Sequence, residues 1–418
     1  MKYLEIAEYG FSKEKLDSDF LLSFKTFLKD KRLENTFSFD IDRIKASSHV
    51  GVIQFKGVQI NVLPKILVKE EDRKRILDNL IFMLSYTKRL NVKITGSAII
   101  CKSKNPFLEI LISAFADSLL NALLTNIPHA YETQNENLRF IKGKIDFKNN
   151  IKYNSFNHSR IFCVFDEFKE DNLLNQVFKF VTEFLLDVSK IIETKRKLTN
   201  ILAIYDDVSQ KIITSEIAGR VKLRRGQNIF ETPLKLAKLF IDHSFINLDN
   251  NRFESIALLF DMNKLFEEFV FSALRHSYGN IVQAQFSKHM LNSLRSGQQH
   301  LPFKKNTRSD IYINKHYIPP IIIDTKYKLI DSSNDLSMSD IYQMMAYAHV
   351  YKTNSLILLY PQSQQKFNHT VVFHEDVAGI KDLNIQVETI NLSSNLKNKE
   401  FVFELKNIIE RISQKQPQ

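Results

Sequence analysis

The stretch Arg308–Ile330, RSDIYINKHYIPPIIIDTKYKLI, brings two carboxylates and an ammonium within reach of one another. Asp310 and Asp324 lie 14 positions apart across a predicted hairpin joined at Asn314-Lys315-His316. Adjacent strands then bring both acids to one edge. Lys326 follows Asp324 by two residues, and side chains at i and i+2 share a strand face. The apolar run Ile318–Ile323 is fit to bury this strand, so its acidic end emerges from the core. Each acid alone reads as a turn cap or a solvated strand end. Together the three residues suit metal-assisted phosphodiester hydrolysis. Hard carboxylate oxygens hold Mg²⁺, and the cation stabilises charge on phosphate oxygens and lowers the pKa of a bound water. The lysine positions that water or stabilises developing negative charge. An acid buried without a partner is costly, and a divalent cation removes the cost.

Two predicted helices add to the set. Asp261–Ser277 carries Met262, Leu265, Phe266, Phe269, Val270 and Ala273 on one face, a stripe of 3.6-residue period. Glu267 and Glu268 flank that stripe on either side, and helical geometry does not choose between them. In MSDIYQMMAYAHVYK, Gln343 and Tyr347 are four apart and share a helix face. Ser337 and Asp340 have the spacing of a capping box, which makes Asp340 a helix-start residue. His289, His300 and His316 are scattered without the spacing of zinc ligands. The chain contains no G-x-x-x-x-G-K-[ST] loop, so the reading is that it binds no nucleotide itself, and no G-x-S-x-G elbow.

The remaining sequence must position these groups. A hydrophobic content of 44% and a charged content of 25% are those of a folded protein. The net charge of +11 favours a polyanionic partner, with a generally lysine-rich composition as the plain alternative. Two cysteines, Cys101 and Cys163, exclude a disulfide scaffold. The N-terminus lacks the apolar core of a signal peptide, and Pro106–Leu124 carries Glu109, Asp117 and Asn121 like an amphipathic core helix. A cytoplasmic protein with no membrane partner is expected. Residues 1–70 read as short strands, with Val50–Pro64 a hairpin turning at Lys56-Gly57. Helices are predicted at Asp72–Leu90, Phe107–Leu124, Glu170–Ile192 and Thr232–Phe245, and an extended basic segment at Asn137–Asn154. In the C-terminal third a helix precedes three strands, a helix and a further strand, which is an α/β order. A short strand Asn280–Phe286 leads into a long polar loop carrying Lys288, Arg295, Lys304, Lys305 and Arg308.

This order, with Asp310, Asp324-Thr325-Lys326 and Gln343-x-x-x-Tyr347, resembles the PD-(D/E)XK nuclease superfamily, and the last pair is similar to the helix motif of its RecB-like branch. LFDMNKLFEEFV, IIIDTKYK and SDIYQMMAYA resemble the McrC family of McrBC modification-dependent restriction systems. So do VGVIQFKGVQINVLPKI, LRFIKGKIDF, DEFKEDNLLNQVFK and PLKLAKLF upstream, in the same order, so that the resemblance covers nearly the whole chain. It implies an α/β fold with a C-terminal PD-(D/E)XK core, a mixed sheet flanked by helices, behind an N-terminal α+β docking region with short antiparallel strands. The corresponding segments are 1–165 for docking, 166–250 as a helical connection and 251–418 as the nuclease. Carried across, Asp310, Asp324 and Glu267 match metal ligands, Lys326 the catalytic lysine, and Gln343 and Tyr347 the helix motif. Ser309 stands where a proline is usual. The implied cofactor is Mg²⁺, with Mn²⁺ able to substitute. The implied partners are double-stranded, modified DNA and an McrB-like AAA+ GTPase hexamer whose GTPase the chain stimulates. Lys304, Lys305, Arg308 and Lys328 are candidates for DNA contact. Arg139, Lys142 and Lys144 suit either partner docking or a solvated strand edge. Two alternatives are a partner-independent RecB-like nuclease, which leaves the first 250 residues unexplained, and a non-catalytic activator of the GTPase ring, which leaves the intact Asp310, Asp324 and Lys326 unexplained.

Overall fold

A computed structural model describes residues 2–65, 73–87, 89, 106–247, 252–296, 299–314, 319–363, 365–373 and 383–414. Cys101, His316 and most of the predicted turn at 314–316 lie outside the described residues, as does the His300 side chain. In chain order the first elements are β1 (Lys2–Ala7), α1 (Ser18–Asp30), β2 (Phe37–Phe39), β3 (Ile44–Ala46), β4 (His49–Phe55), β5 (Val58–Leu63) and α2 (Arg73–Tyr86). Next come α3 (Pro106–Thr125), β6 (Ala130–Leu138), β7 (Lys144–Ile145), α4 (Phe147–Asn154), β8 (Ile161–Lys169), α5 (Leu173–Val188), α6 (Ile192–Ile204), α7 (Ser215–Gly219), α8 (Glu231–Asp242), β9 (Ser244–Asn247) and β10 (Arg252–Asp261). The last are α9 (Met262–Tyr278), β11 (Val282–Ser296), β12 (Gln299–Ile313), β13 (Ile321–Thr325), α10 (Met338–Tyr351), β14 (Ser355–Pro361), β15 (Asn368–Val372), β16 (Asn384–Ile390) and α11 (Glu400–Gln414). Residues 1–52, 57–93 and 259–418 form one compact unit, and 53–56 with 94–258 form a second. This grouping joins the chain's start to its end and does not follow the three sequence segments.

In the first unit, β1 runs parallel to β5 from Lys2↔Val58 to Ala7↔Leu63. The turn before β5 forms where predicted, with positive φ at both Lys56 (44°) and Gly57 (74°), as a type I′ turn requires. The sequence reading gave no helix in this region, yet α1 is there. Its signals are an Asp17 cap, whose carboxylate accepts the Asp19 N–H, and Leu21, Phe24, Phe27 and Leu28 at helical spacing, all buried.

The second sheet of this unit has the order β11-β12-β13-β14-β16-β15. β11–β12, β12–β13 and β15–β16 pair antiparallel, while β13–β14 and β14–β16 pair parallel, so the sheet is mixed as expected. Every residue of β14 is buried, which explains its unbroken apolar run. Met344, Tyr347, Ala348 and Tyr351 of α10 pack on Ile322, Leu356, Leu358, Ile385 and Val387. The predicted stripe of α9 is wholly buried. Phe269 of α9 meets Phe82 and Tyr86 of α2 and Phe401 of α11. These two packed helices bracket the strand ends that carry the acids.

In the second unit α3 packs against α6 and α8. It is long and apolar enough to cross a membrane, and most of it is buried. Its buried Glu109 accepts hydrogen bonds from Ser189 Oγ (2.8 Å) and the Lys190 N–H (2.5 Å). β6, β8 and β7 form an antiparallel sheet. Gly143 has φ 71°, and a Cβ there would lie 2.5 Å from the Val164 carbonyl oxygen, so only glycine fits. The segment Asn137–Asn154 is not extended throughout, as the sequence suggested. Asp146 accepts the Asn149 N–H at 3.1 Å and caps α4.

Candidate active site

β12 and β13 are paired from Ile313↔Ile321 to Ile311↔Ile323, and the next residue on each strand is an acid, Asp310 and Asp324. β13 remains paired with β14 through Thr325↔Leu359. The sheet therefore parts on one side only, and the carboxylates occupy the split. Asp310 Oδ2 accepts both the Thr325 N–H (2.8 Å) and the Thr325 hydroxyl (2.9 Å). Asp324 is 1% exposed. Its Oδ2 lies 2.8 Å from Lys326 Nζ, and its Oδ1 meets no hydrogen-bond donor among the described residues.

Lys326 is fixed at both ends. Its N–H donates to the Leu359 carbonyl (2.9 Å), and its ammonium donates to Gln343 Oε1 (2.9 Å). The Gln343 amide donates to the Tyr347 hydroxyl (2.6 Å), which donates to the Arg308 carbonyl (2.7 Å). The pair four apart on α10 thus ties the lysine to the strand that bears Asp310.

The charges are strongly coupled. Burial, then repulsion from Asp310, pushes the Asp324 carboxyl up to about 7 despite the nearby lysine. Burial acts to lower Lys326, but Asp324, Asp340 and Asp310 outweigh it and hold the ammonium above its usual range. Glu267 is raised by burial and by Asp310. Three acids of overlapping fields beside a single ammonium leave a net negative charge that a divalent cation would neutralise.

The structure distinguishes the two glutamates. Glu267 accepts from the Gln285 amide and feels Asp310, whereas Glu268 forms a bidentate pair with Arg89 (2.5 and 2.7 Å). Gln285, absent from the sequence reading, sits on β11 opposite Asp310 and has φ 54°. A non-glycine residue in the left-handed region costs on the order of 1–3 kcal/mol, and such outliers concentrate at functional sites. No sequence signal marks it. Ser337 is the N-cap of α10 and Asp340 lies in its first turn, as expected, but the side chains do not close a capping box; one is closed by Ser332 and Asp335 in the short 3-10 turn before it. Asp340 faces the lysines, with its carboxylate 2.7 Å from Lys328 Nζ and 3.7 Å from Lys326 Nζ. Lys328 is held there. Ser309 is fully buried, and its N–H donates to the Tyr351 hydroxyl (3.3 Å), a bond that proline could not make.

Asp310, Asp324, Lys326, Gln343 and Tyr347 thus meet in one place, with Glu267 at its margin. Among the described residues no three His, Cys, Asp or Glu side chains converge as a ready-made ligand cluster, because Asp310 is turned onto Thr325 and Glu267 onto Gln285. The donor set still fits a hard cation: three carboxylates whose fields overlap, one with an orphaned buried oxygen. Lys304, Lys305 and Arg308 are exposed on β12. Arg139, Lys142 and Lys144 belong to the second unit. There Arg139 and Lys144 are exposed, and Lys142 pairs with Glu167 (3.1 Å) over the Phe165 ring.

A family model described as "McrBC 5-methylcytosine restriction system component" matches residues 44–361. Among curated proteins compared by sequence, none matches. The fold is similar to a chain from the refined half-complex of the tetradecameric assembly of Thermococcus gammatolerans McrB AAA+ hexamers with bound McrC. The TM-score is 0.72 at 18% identity, over 97% of this chain and 100% of that one. A chain of the Thermococcus gammatolerans McrBC complex, solved by cryo-electron microscopy, matches with a TM-score of 0.52 at 21% identity, covering 65% of this chain and 87% of that one.

Proposed function

Since this chain belongs to the McrBC family of 5-methylcytosine restriction system components, we propose that it is the Mg²⁺-dependent endonuclease subunit of such a system, with a PD-(D/E)XK core. It cuts modified duplex DNA when assembled with an McrB-like AAA+ hexamer, whose GTPase it stimulates. The observation that carries this reading is Asp324: a carboxylate 1% exposed, with an orphaned oxygen, at a strand split shared with Asp310 and Lys326. Leaving an oxygen of a buried carboxylate without a donor costs about 1–3 kcal/mol, which a bound cation would remove. The Thermococcus McrC of similar fold is bound to McrB hexamers, which supports the partner.

Asp310, Asp324 and Glu267 would hold the cation. When bound, it supplies Lewis acidity and a water of lowered pKa. Lys326 remains an ammonium, because the surrounding acids hold its pKa up. It can therefore stabilise negative charge developing on the scissile phosphate. Gln343 and Tyr347 fix the direction of that ammonium through the hydrogen-bonded chain to the Arg308 carbonyl. Docking falls to the other unit, where Arg139 and Lys144 neighbour exposed Phe140, Ile141 and Phe147 in the chain. Exposed aromatic and basic groups together suit a protein interface.

Calorimetric titration with Mn²⁺ tests the metal centre. Wild type and Lys326→Ala are expected to show a saturable site that Asp324→Ala lacks. Equal binding in all three proteins would remove Asp324 from metal binding.

A further inference from the structure

The region from Gln285 to Arg308, expected as a short strand and a polar loop, is instead a two-stranded ribbon. β11 and β12 pair from Val282↔Ile313 to Ser296↔Gln299. The sheet supports only its base: β13 pairs with Ile311–Ile313 of β12 alone, and the Tyr351 hydroxyl bonds the Phe286 carbonyl (2.7 Å). Further out, Lys288, His289, Met290, Leu291, Lys304, Lys305 and Asn306 are all exposed. A lone hairpin is at best marginally stable in water, so a two-sided exposed ribbon fits a segment whose surface is completed by a ligand. Its charge has one sign. Between Glu268 and Asp310 the sequence contains no acidic residue, while the ribbon carries Lys288, Arg295, Lys304, Lys305 and Arg308.

We propose that the β11–β12 ribbon is an arm that grips the phosphate backbone of duplex DNA and delivers the strand to the split between Asp310 and Asp324. This rests on the nuclease reading and adds how the substrate is held. Three features favour duplex DNA. A two-stranded ribbon fits the major groove, about 12 Å wide, and Gln299–Asn306 spans about 26 Å at about 3.3 Å per residue. Bulges between His289 and Leu291 and between Leu291 and Ser293 add twist, which lets a ribbon follow a groove. Arg308 and Asp310 are two positions apart on one strand and so share a face. A phosphate held by the guanidinium is thereby set beside the carboxylates.

Fluorescence anisotropy of the full chain with a labelled 30-base-pair duplex, in EDTA and over a salt series, tests the arm. Each phosphate contact contributes about 0.9 to the slope of log K against log salt. The triple variant Lys288→Ala, Lys304→Ala, Lys305→Ala is expected to bind more weakly, with a slope shallower by about 2.7. A control of equal charge change at exposed positions of the same unit outside the ribbon, Lys13→Ala, Lys25→Ala, Lys29→Ala, is expected to keep the wild-type slope. An unchanged slope in the ribbon variant, or an equal fall in both variants, would overturn the proposal. So would retained DNA binding with lost binding to the AAA+ partner, which would make the ribbon a protein-docking element. The readout involves no metal and no cleavage, so failure of the nuclease reading, seen as cleavage by an Asp324 variant, is recorded separately.

Discussion

Replacing Asp324 by asparagine should make the metal-free protein more stable at alkaline pH while disabling the site. Burial and the Asp310 charge take this carboxyl from its usual 3.8 to about 7. At about 1.36 kcal/mol per pH unit, a displacement of about three units corresponds to about 4 kcal/mol. The sign follows from which state releases its proton first. The folded pKa exceeds the unfolded one, so as pH rises the unfolded chain ionises first; stability is greatest below about pH 4, falls between about 4 and 7 and is flat above. The displacement is already net of the attraction to Lys326, so asparagine, which stands in for the protonated form, relieves about 4 kcal/mol at pH 8. At about 2–4 °C per kcal/mol, the melting temperature should rise by about 8 °C or more. Scanning calorimetry in EDTA at pH 8 and pH 4.5 reads this directly, with the gap expected nearly to close at the lower pH. Adding Mn²⁺ should raise only the wild type, since only it holds the ligand. A variant no more stable than wild type at pH 8 would refute the claim that Asp324 is an unrelieved buried charge.

Two other substitutions separate neighbouring roles. Glu267→Gln is expected to lower single-turnover cleavage at least tenfold, whereas Glu268→Gln should leave cleavage intact and cost about 0–1 kcal/mol, because its pair with Arg89 is partly exposed; the reverse order would exchange the two assignments. Glu8, 3% exposed at the end of β1, has its carboxyl pushed up to about 7 by burial. With the folded pKa above the unfolded 4.5, it too destabilises as pH rises from about 4.5 to 7, so Glu8→Gln should melt higher than wild type at pH 8 and equal to it near pH 4.

The site was more legible in the sequence than the elements around it. Asp310, Asp324 and Lys326 could be read because a hairpin brings the ends of adjacent strands to one edge and alternation fixes faces. Gln343 and Tyr347 followed from helical spacing. Gln285 was invisible, since its role depends on a left-handed backbone that nothing in its neighbourhood requires. Asp340 lies in the first turn of α10, as its spacing from Ser337 suggested, but the contact of its carboxylate with Lys328 depends on tertiary packing that the spacing does not reveal. The ribbon read as a loop because its apolar residues, Met290, Leu291, Leu294, Leu301 and Phe303, do not alternate regularly with polar ones, and that alternation is what marks a half-buried strand. In α4 the Asp146 cap was present but the basic, weakly periodic segment after it masked the helix. The grouping of the chain's two ends in one unit arises from long-range contact, to which local patterns are blind.

The most direct measurement assembles the full chain with an McrB-like hexamer, GTP and Mg²⁺. It follows cleavage of a methylated duplex and GTP hydrolysis together, for wild type and Asp324→Asn. Loss of cleavage with GTPase stimulation preserved is the expected result, because the acids lie in the first unit and the proposed docking surface in the second. Cleavage at the wild-type rate by Asp324→Asn would contradict a nuclease centre at this strand split.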